Sequence, residues 1–271
     1  MIAGGVRAEF IGAEGRRLFA LLRMPDLATG ECTLVVPPFA EEMNKSRRII
    51  TDFAQHARRQ GRGTLCIDLS GTGDSEGEFA EARIERWIDD LASAIAWSAS
   101  LGWRVTSLLG IRFGALLAAA LVHRRKPDLL RIGFWQPVTS GARLIDQFLR
   151  IRVMASRMEQ GRAESAADLR SRLKSGDALD VAGYTLSGAL CADIAALDLH
   201  SELTASFPPI RWLEVVADAA GPLSPATQQA LEQALALVAA LGAARIDAQA
   251  VGARGDQLLV QLPRPGAQVL H

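Results

Sequence analysis

The chain is short of aromatic residues, lysine, cysteine and histidine, and each shortage excludes something. Aromatic side chains make up 6% of the 271 residues, against 49% hydrophobic residues overall. The core it can bury is therefore large and aliphatic. Lys45, Lys126 and Lys174 are the only lysines among thirty basic residues. In so alanine-rich a chain this arginine bias follows composition, so an arginine carries meaning only where its position is unusual. Acidic and basic residues balance to a net charge of zero, which gives no electrostatic case for nucleic acid. Cys32, Cys66 and Cys191 lie far apart, with neither metal-ligand spacing nor a disulfide framework. Buried free thiols are the expectation, with no metal and no cofactor. No apolar run approaches the ~18 residues of a membrane span, and MIAGGVRAEF lacks the basic-then-apolar order of a signal peptide. A soluble cytoplasmic protein is expected.

What is present alternates. AEFIGAEGRRLFALLRMP reads as two β-runs around Glu14-Gly15, a hairpin. CTLVVPPF is a buried strand, NKSRRIITDFAQHARRQG a helix stopped by Gly61, and GTLCIDLSGTGDS a strand entering a glycine-rich turn. Ile84, Trp87, Ile88, Leu91 and Ile95 repeat at helical spacing. VTSLLG, GALLAAALVHRR and RIGFWQPV continue as strand, helix, strand. This order predicts an α/β fold, a mostly parallel central sheet flanked by helices. From about Gly141 to Ser206 the pattern becomes helical without need of a strand, beginning with the basic amphipathic ARLIDQFLRIRVMASRM. Alternation resumes with IRWLEVV, a helix from Ser224-Pro225, and the strands RIDAQAVGA and QLLVQL. The expected organisation is a core of residues 1–140 and 207–271 with a helical cap or lid at 141–206.

The strand–turn–helix LLGIRFGALLA, Leu108 to Ala118, has the shape of a catalytic turn. With the upstream DLSGTGDS and the helical insertion it resembles the α/β-hydrolase superfamily. More narrowly, PPFAEEMNKSRR, DLSGTGDSEGEF, GIRFGALLA, FWQPVTSGARLIDQFLRIR and GYTLSG resemble the exosortase A system-associated hydrolase 2 family. The resemblance covers roughly Leu34 to Leu199 and is weaker after Ser206. It implies a bacterial setting beside exopolysaccharide production and the sorting of C-terminally tagged proteins, with that machinery as partner.

In the superfamily the centre of G-x-S-x-G is the nucleophilic serine, on a turn tight enough to demand glycine two residues to either side. Here Gly110 and Gly114 remain and the centre is Arg112. An arginine stays protonated and does not attack a carbonyl. Arg112 is expected in a backbone conformation costly for a non-glycine residue. Its cation at a helix N-terminus opposes the helix dipole, so a partner anion is expected from Glu41 or Glu42 in PFAEEMNK. The alternative is drift, with the arginine simply reaching water.

The resemblance makes Asp218, after IRWLEVV, the positional candidate for the triad acid. The histidine base should follow the next strand, where the chain reads VGARGDQ. His56 and His123 lie on predicted helices, His271 is the last residue, and His200 in LDLHSEL is the one histidine with a route to a pocket. A Ser-His-Asp mechanism is not expected. The remaining pocket candidates are Asn44 and Lys45 in the loop that frames the oxyanion hole, and Gln136 at the end of the strand opposite. GTGDS is expected to be structural, with phosphate binding the alternative. The lid helix carries Arg143, Arg150, Arg152 and Arg157 beside Leu144, Phe148, Leu149 and Ile151, which suits a cover over an apolar cleft, a grip on an acidic ligand, or peripheral membrane contact.

Three readings stay open. The first is a non-classical or inactive hydrolase binding a small acyl or anionic ligand. The second is an active ester or acyl hydrolase using a Glu41 or Glu42 carboxylate. The third is a scaffold of the exopolysaccharide apparatus, whose cleft would be filled by side chains and which would expose an apolar patch elsewhere.

Overall fold

A computed structural model describes residues 5–13, 15–26, 29–160, 164–204, 207–216, 228–229, 231–232, 236 and 246–252. Strands β1 (Gly5–Ala13) and β2 (Arg16–Met24) form the expected antiparallel hairpin. There follow β3 (Glu31–Val36), α1 (Glu41–Arg59), β4 (Gly63–Ile67), α2 (Ile84–Ser100), β5 (Arg104–Ile111), α3 (Phe113–Arg125) and β6 (Arg131–Trp135). After an insertion, β9 (Ile210–Val216) and β10 (Ile246–Gly252) complete a sheet of order β1-β2-β4-β3-β5-β6-β9-β10 among the described residues. From β4 to β10 neighbouring strands run parallel, and β2 joins β4 antiparallel.

The inner strands are apolar along their whole length because both faces are covered. Alternate residues serve different cores. Leu34, Val36 and Leu108 face the larger core beneath α2 and α3, while Val35, Leu109, Ile111 and Trp135 face a smaller one with Phe53 of α1. Helix α3 is buried from Phe113 through Val122, and its alanines let it lie close against the sheet. Cys32 and Cys191 are buried and Cys66 is half-buried. Burial pushes their thiols up, to about 12 for Cys32 and about 11 for the other two, so they stay protonated and unreactive.

The insertion between β6 and β9 differs from the expectation. It holds α4 (Gly141–Gln160), α5 (Ala166–Lys174), α6 (Gly188–Ala195) and α7 (Leu199–Glu202), but also the short antiparallel pair β7 (Leu179–Val181) and β8 (Tyr184–Leu186). The polar stretch after α4 is thus α5 and a hairpin. Its helix is announced by Ser165, whose hydroxyl accepts from the Asp168 amide, a cap the apolar pattern does not reveal. The hairpin turns at Ala182-Gly183, and Leu179, Val181 and Leu186 are buried. Three-residue strands fall below what alternation can signal. The expected helix from Ser224 and the strand QLLVQL lie wholly or largely outside the described residues.

Candidate functional site

The turn between β5 and α3 is built as its glycines require. A Cβ on Gly110 would stand 2.4 Å from the Ala115 Cα, and one on Gly114 would stand 2.1 Å from the Val36 carbonyl oxygen. Both glycines are therefore dictated by close backbone approach. Between them Arg112 has φ 54° and ψ −119°, a region L-residues rarely occupy. Its backbone is tied on two sides: its N–H donates to the Trp135 carbonyl at 2.9 Å, and its carbonyl accepts from Val138 at 3.1 Å.

The side chain has found an anion. Arg112 Nε lies 3.4 Å from Glu42 Oε1, and Nη1 donates to the Gln136 carbonyl at 3.2 Å. Both ionic partners are about a third exposed (32% and 39%), so the pair contributes at most about 1 kcal/mol. The other Glu42 oxygen, Oε2, is buried with no hydrogen-bond partner among the described residues. Glu41 is engaged elsewhere, 2.5 Å from Lys45 Nζ, which raises the lysine. Asn44 points its amide toward the Tyr184 hydroxyl at 3.4 Å and accepts from Arg47. Gln136 contributes its backbone, with φ 45° and its N–H donating to the Leu213 carbonyl.

A residue missed from sequence completes the group. Glu214 on β9 is buried and accepts from Trp212 Nε1 at 2.9 Å. Burial pushes its carboxyl up, while the Trp212 hydrogen bond and the Arg112 cation pull it back. A charged residue inside the apolar run IRWLEVV was the available signal.

The space above the turn is occupied by rings. Phe39, in the loop after β3, packs edge-on against Phe113 (5.6 Å between centroids), Phe148 of α4 (5.2 Å) and Trp87 of α2 (6.4 Å). Phe79 and Tyr184 adjoin them at 5.0 Å from one another. A cavity of about 20 Å³ remains between Phe39, Met43, Leu69, Phe79, Phe113 and Tyr184. That is room for one water of about 10–15 Å³, far below the roughly 300 Å³ of the smaller ligand pockets. A larger cavity of about 340 Å³ lies on the α1 side of the sheet, beside Phe53, Leu109 and Trp135, and neither Arg112 nor Glu42 lines it.

No known protein family's sequence profile and no curated protein sequence matches the chain. Solved structures do. The ferulic acid complex of Est1E from Butyrivibrio proteoclasticus superposes with a TM-score of 0.59 at 16% identity, covering 90% of this chain and 89% of that one. A hydrolase from Agrobacterium vitis S4 gives 0.58 at 19%, covering 91% and 90%. Mouse alpha/beta hydrolase domain-containing protein 10 gives 0.60 at 14%, covering 92% and 90%. The fold is that of the α/β-hydrolases.

In α/β-hydrolases the nucleophile elbow is a tight strand-to-helix turn; the β5–α3 turn here has that form and carries Arg112 at its tip. Asp218, the expected candidate for a triad acid, lies outside the described residues. His200 is exposed on α7, His123 pairs with Glu202 at 2.9 Å, and His56 on α1 borders the larger cavity; none of them lines the ring-filled space over the elbow. The route to a pocket expected for His200 is not taken, because α7 turns that side chain to solvent. The GTGDS turn spends its donors internally: Gly71, Thr72 and Ser75 amides bond within the loop and the Asp74 amide binds Asp68. Asp90, fully buried, takes the Ser70 amide and Arg16. Four of the turn's five backbone amides are thus used within the protein, as a structural role requires. No group of three metal-ligating side chains is assembled among the described residues.

Proposed function

We propose that this chain is an inactive member of the α/β-hydrolase fold that works as an interaction protein rather than an ester hydrolase. The observation that carries the reading is the filled space over the elbow. With about 20 Å³ left between the rings, an acyl group has no room among them. Two further facts support it. An arginine stands at the nucleophile position, and no histidine occurs between residues 201 and 270 to serve as base. In this reading residues 141–206 form a cap that plugs the cleft of a core made by residues 1–140 and 207–271. The motif resemblance to exosortase A system-associated hydrolases suggests the bacterial exopolysaccharide apparatus as its setting. Glu42 already meets part of the Arg112 charge, so an external anion there would compete with it.

The test treats the purified full chain with a fluorophosphonate probe and with short- and long-chain acyl esters. Neither labelling nor saturable turnover is expected. Turnover abolished by substitution of Arg112 or Glu42 would overturn the reading.

One observation favours the second reading, a hydrolase using Glu42: its Oε2 is buried with no partner, a carboxylate oxygen not spent on another group. That enzyme would lose activity in Glu42→Gln while keeping its fold.

A further inference from the structure

Helix α4 presents two faces of opposite character. Leu144, Ile145, Phe148 and Leu149 are buried against the core. The opposite face carries Arg143, Arg150 and Arg157 interleaved with Ile151, Met154 and Met158, all exposed. Positions 143, 150, 154 and 157 follow the three-and-four spacing that keeps side chains on one side of a helix. They run along about 20 Å of its length at 1.5 Å per residue.

Two features set this face apart from ordinary surface. Met154 is 67% and Met158 88% exposed, the two most exposed large apolar side chains described. The arginines matter because of their setting: elsewhere Arg58, Arg83, Arg124, Arg125, Arg170 and Arg172 each grip a carboxylate. None of Arg143, Arg150 and Arg157 has an acidic partner among the described residues. The one acid between Gly141 and Met158, Asp146, is held by Arg170 at 2.6 Å. Among the described residues the face therefore combines positive charge, paired by no carboxylate, with apolar side chains free to insert, on a chain whose net charge is zero. No helix among the described residues is long and apolar enough to cross a membrane.

We propose that the outer face of α4 is a docking surface for an anionic lipid bilayer, with the three guanidinium groups on lipid phosphates and Ile151, Met154 and Met158 seated in the headgroup–acyl boundary. A folded acidic protein would need a carboxylate in register with each arginine. A bilayer of anionic lipid supplies mobile phosphates at any spacing, and it takes up flexible thioethers without a shaped pocket. The inference is independent of whether the elbow catalyses anything.

The experiment is flotation of the full chain with vesicles of phosphatidylcholine alone, and with vesicles of equal parts phosphatidylcholine and phosphatidylglycerol. Binding is expected to the anionic vesicles and not to the neutral ones, falling as salt is raised. Replacing Arg143, Arg150 and Arg157 together by glutamine is expected to lower partitioning at least about tenfold. Replacing Met154 and Met158 by serine is expected to lower it severalfold. A control removing Arg48 and Arg59 from the exposed side of α1 should leave it unchanged. Circular dichroism confirms that each variant folds, since every substituted side chain is exposed. The proposal is overturned by absence of binding to anionic vesicles at low salt, by retained binding in the triple variant, or by equal loss in the α1 control. Sedimentation showing a dimer that the Met154 and Met158 changes dissolve would assign the face to a second copy and overturn it as well.

Discussion

Ala40 and Arg112 share one backbone conformation. Ala40 has φ 52° and ψ −127°, Arg112 has φ 54° and ψ −119°, and each immediately precedes a helix that starts beyond a neighbouring strand of the sheet. The first N–H groups of α1 and α3 lack intrahelical acceptors, so two strained turns bring two sets of such donors to one end of the sheet. For Arg112 the strain is expected from the elbow; for Ala40 nothing in PPFAEEM signals it. Ala40→Gly is expected to stabilise the protein by about 1 kcal/mol, the relief of left-handed strain exceeding the entropy glycine adds to the unfolded chain. Urea unfolding measures it, and an unchanged or lowered midpoint would contradict the strain.

Arg112→Ser places a serine at the turn without conferring catalysis. His56, His123 and His200 all lie away from the space over the turn. A hydroxyl with no histidine beside it among the described residues keeps its ordinary, weak nucleophilicity. Ester turnover is expected to stay at the wild-type background, and fluorophosphonate labelling to be absent. Labelling of the variant alone would show that an unrecognised base survives near residue 112.

Phe39→Ala is expected to cost about 3–5 kcal/mol, because the ring touches four others and its removal leaves a void the packed helices do not close. The void should admit a small apolar guest. Adding indole is then expected to raise the melting temperature of the variant and not of the wild type. Equal responses from both would mean that the wild-type cleft is already open.

Glu214→Gln should change stability in a pH-dependent way. Burial raises the Glu214 carboxyl above its unfolded value, so the folded protein holds that proton to higher pH than the unfolded chain. Stability therefore falls as pH rises from the unfolded value near 4.5 through the raised one. Glutamine keeps an acceptor for Trp212 Nε1 and has no charge to desolvate. The variant is expected to be more stable than wild type at neutral pH, with the difference shrinking toward acid. Melting curves across pH check this, and a variant destabilised at every pH would mean that Arg112 relies on the ionised carboxylate.

The sequence disclosed the parts whose physics is local. Buried β-branched runs marked β3 and β5, the Ile84–Leu91 spacing marked α2, and Gly110 and Gly114 marked the elbow. Choosing between Glu41 and Glu42 was beyond it, since the two are adjacent in sequence and are separated by which side of α1 each occupies. Glu41 faces Lys45 one helical turn on, and Glu42 faces Arg112 seventy residues away. Phe39, Phe79, Trp87, Phe113, Phe148 and Tyr184 come from six separate segments, so their convergence is a property of the tertiary fold. No periodicity in a chain so poor in rings announces that many of them meet above one turn.

The elbow's glycines and its central residue are held by different things. Gly114 faces the Val36 carbonyl and leads into a helix buried for its first ten residues, so that position is locked by solid protein on every side. The Arg112 side chain instead leaves toward a partly open rim. Position 112 is therefore a mount that the fold holds rigid without dictating what is mounted. Serine, cysteine, aspartate or arginine can each stand there on the same frame. The side chain at this turn can be exchanged by single substitutions while the surrounding architecture, which has no stake in the choice, persists.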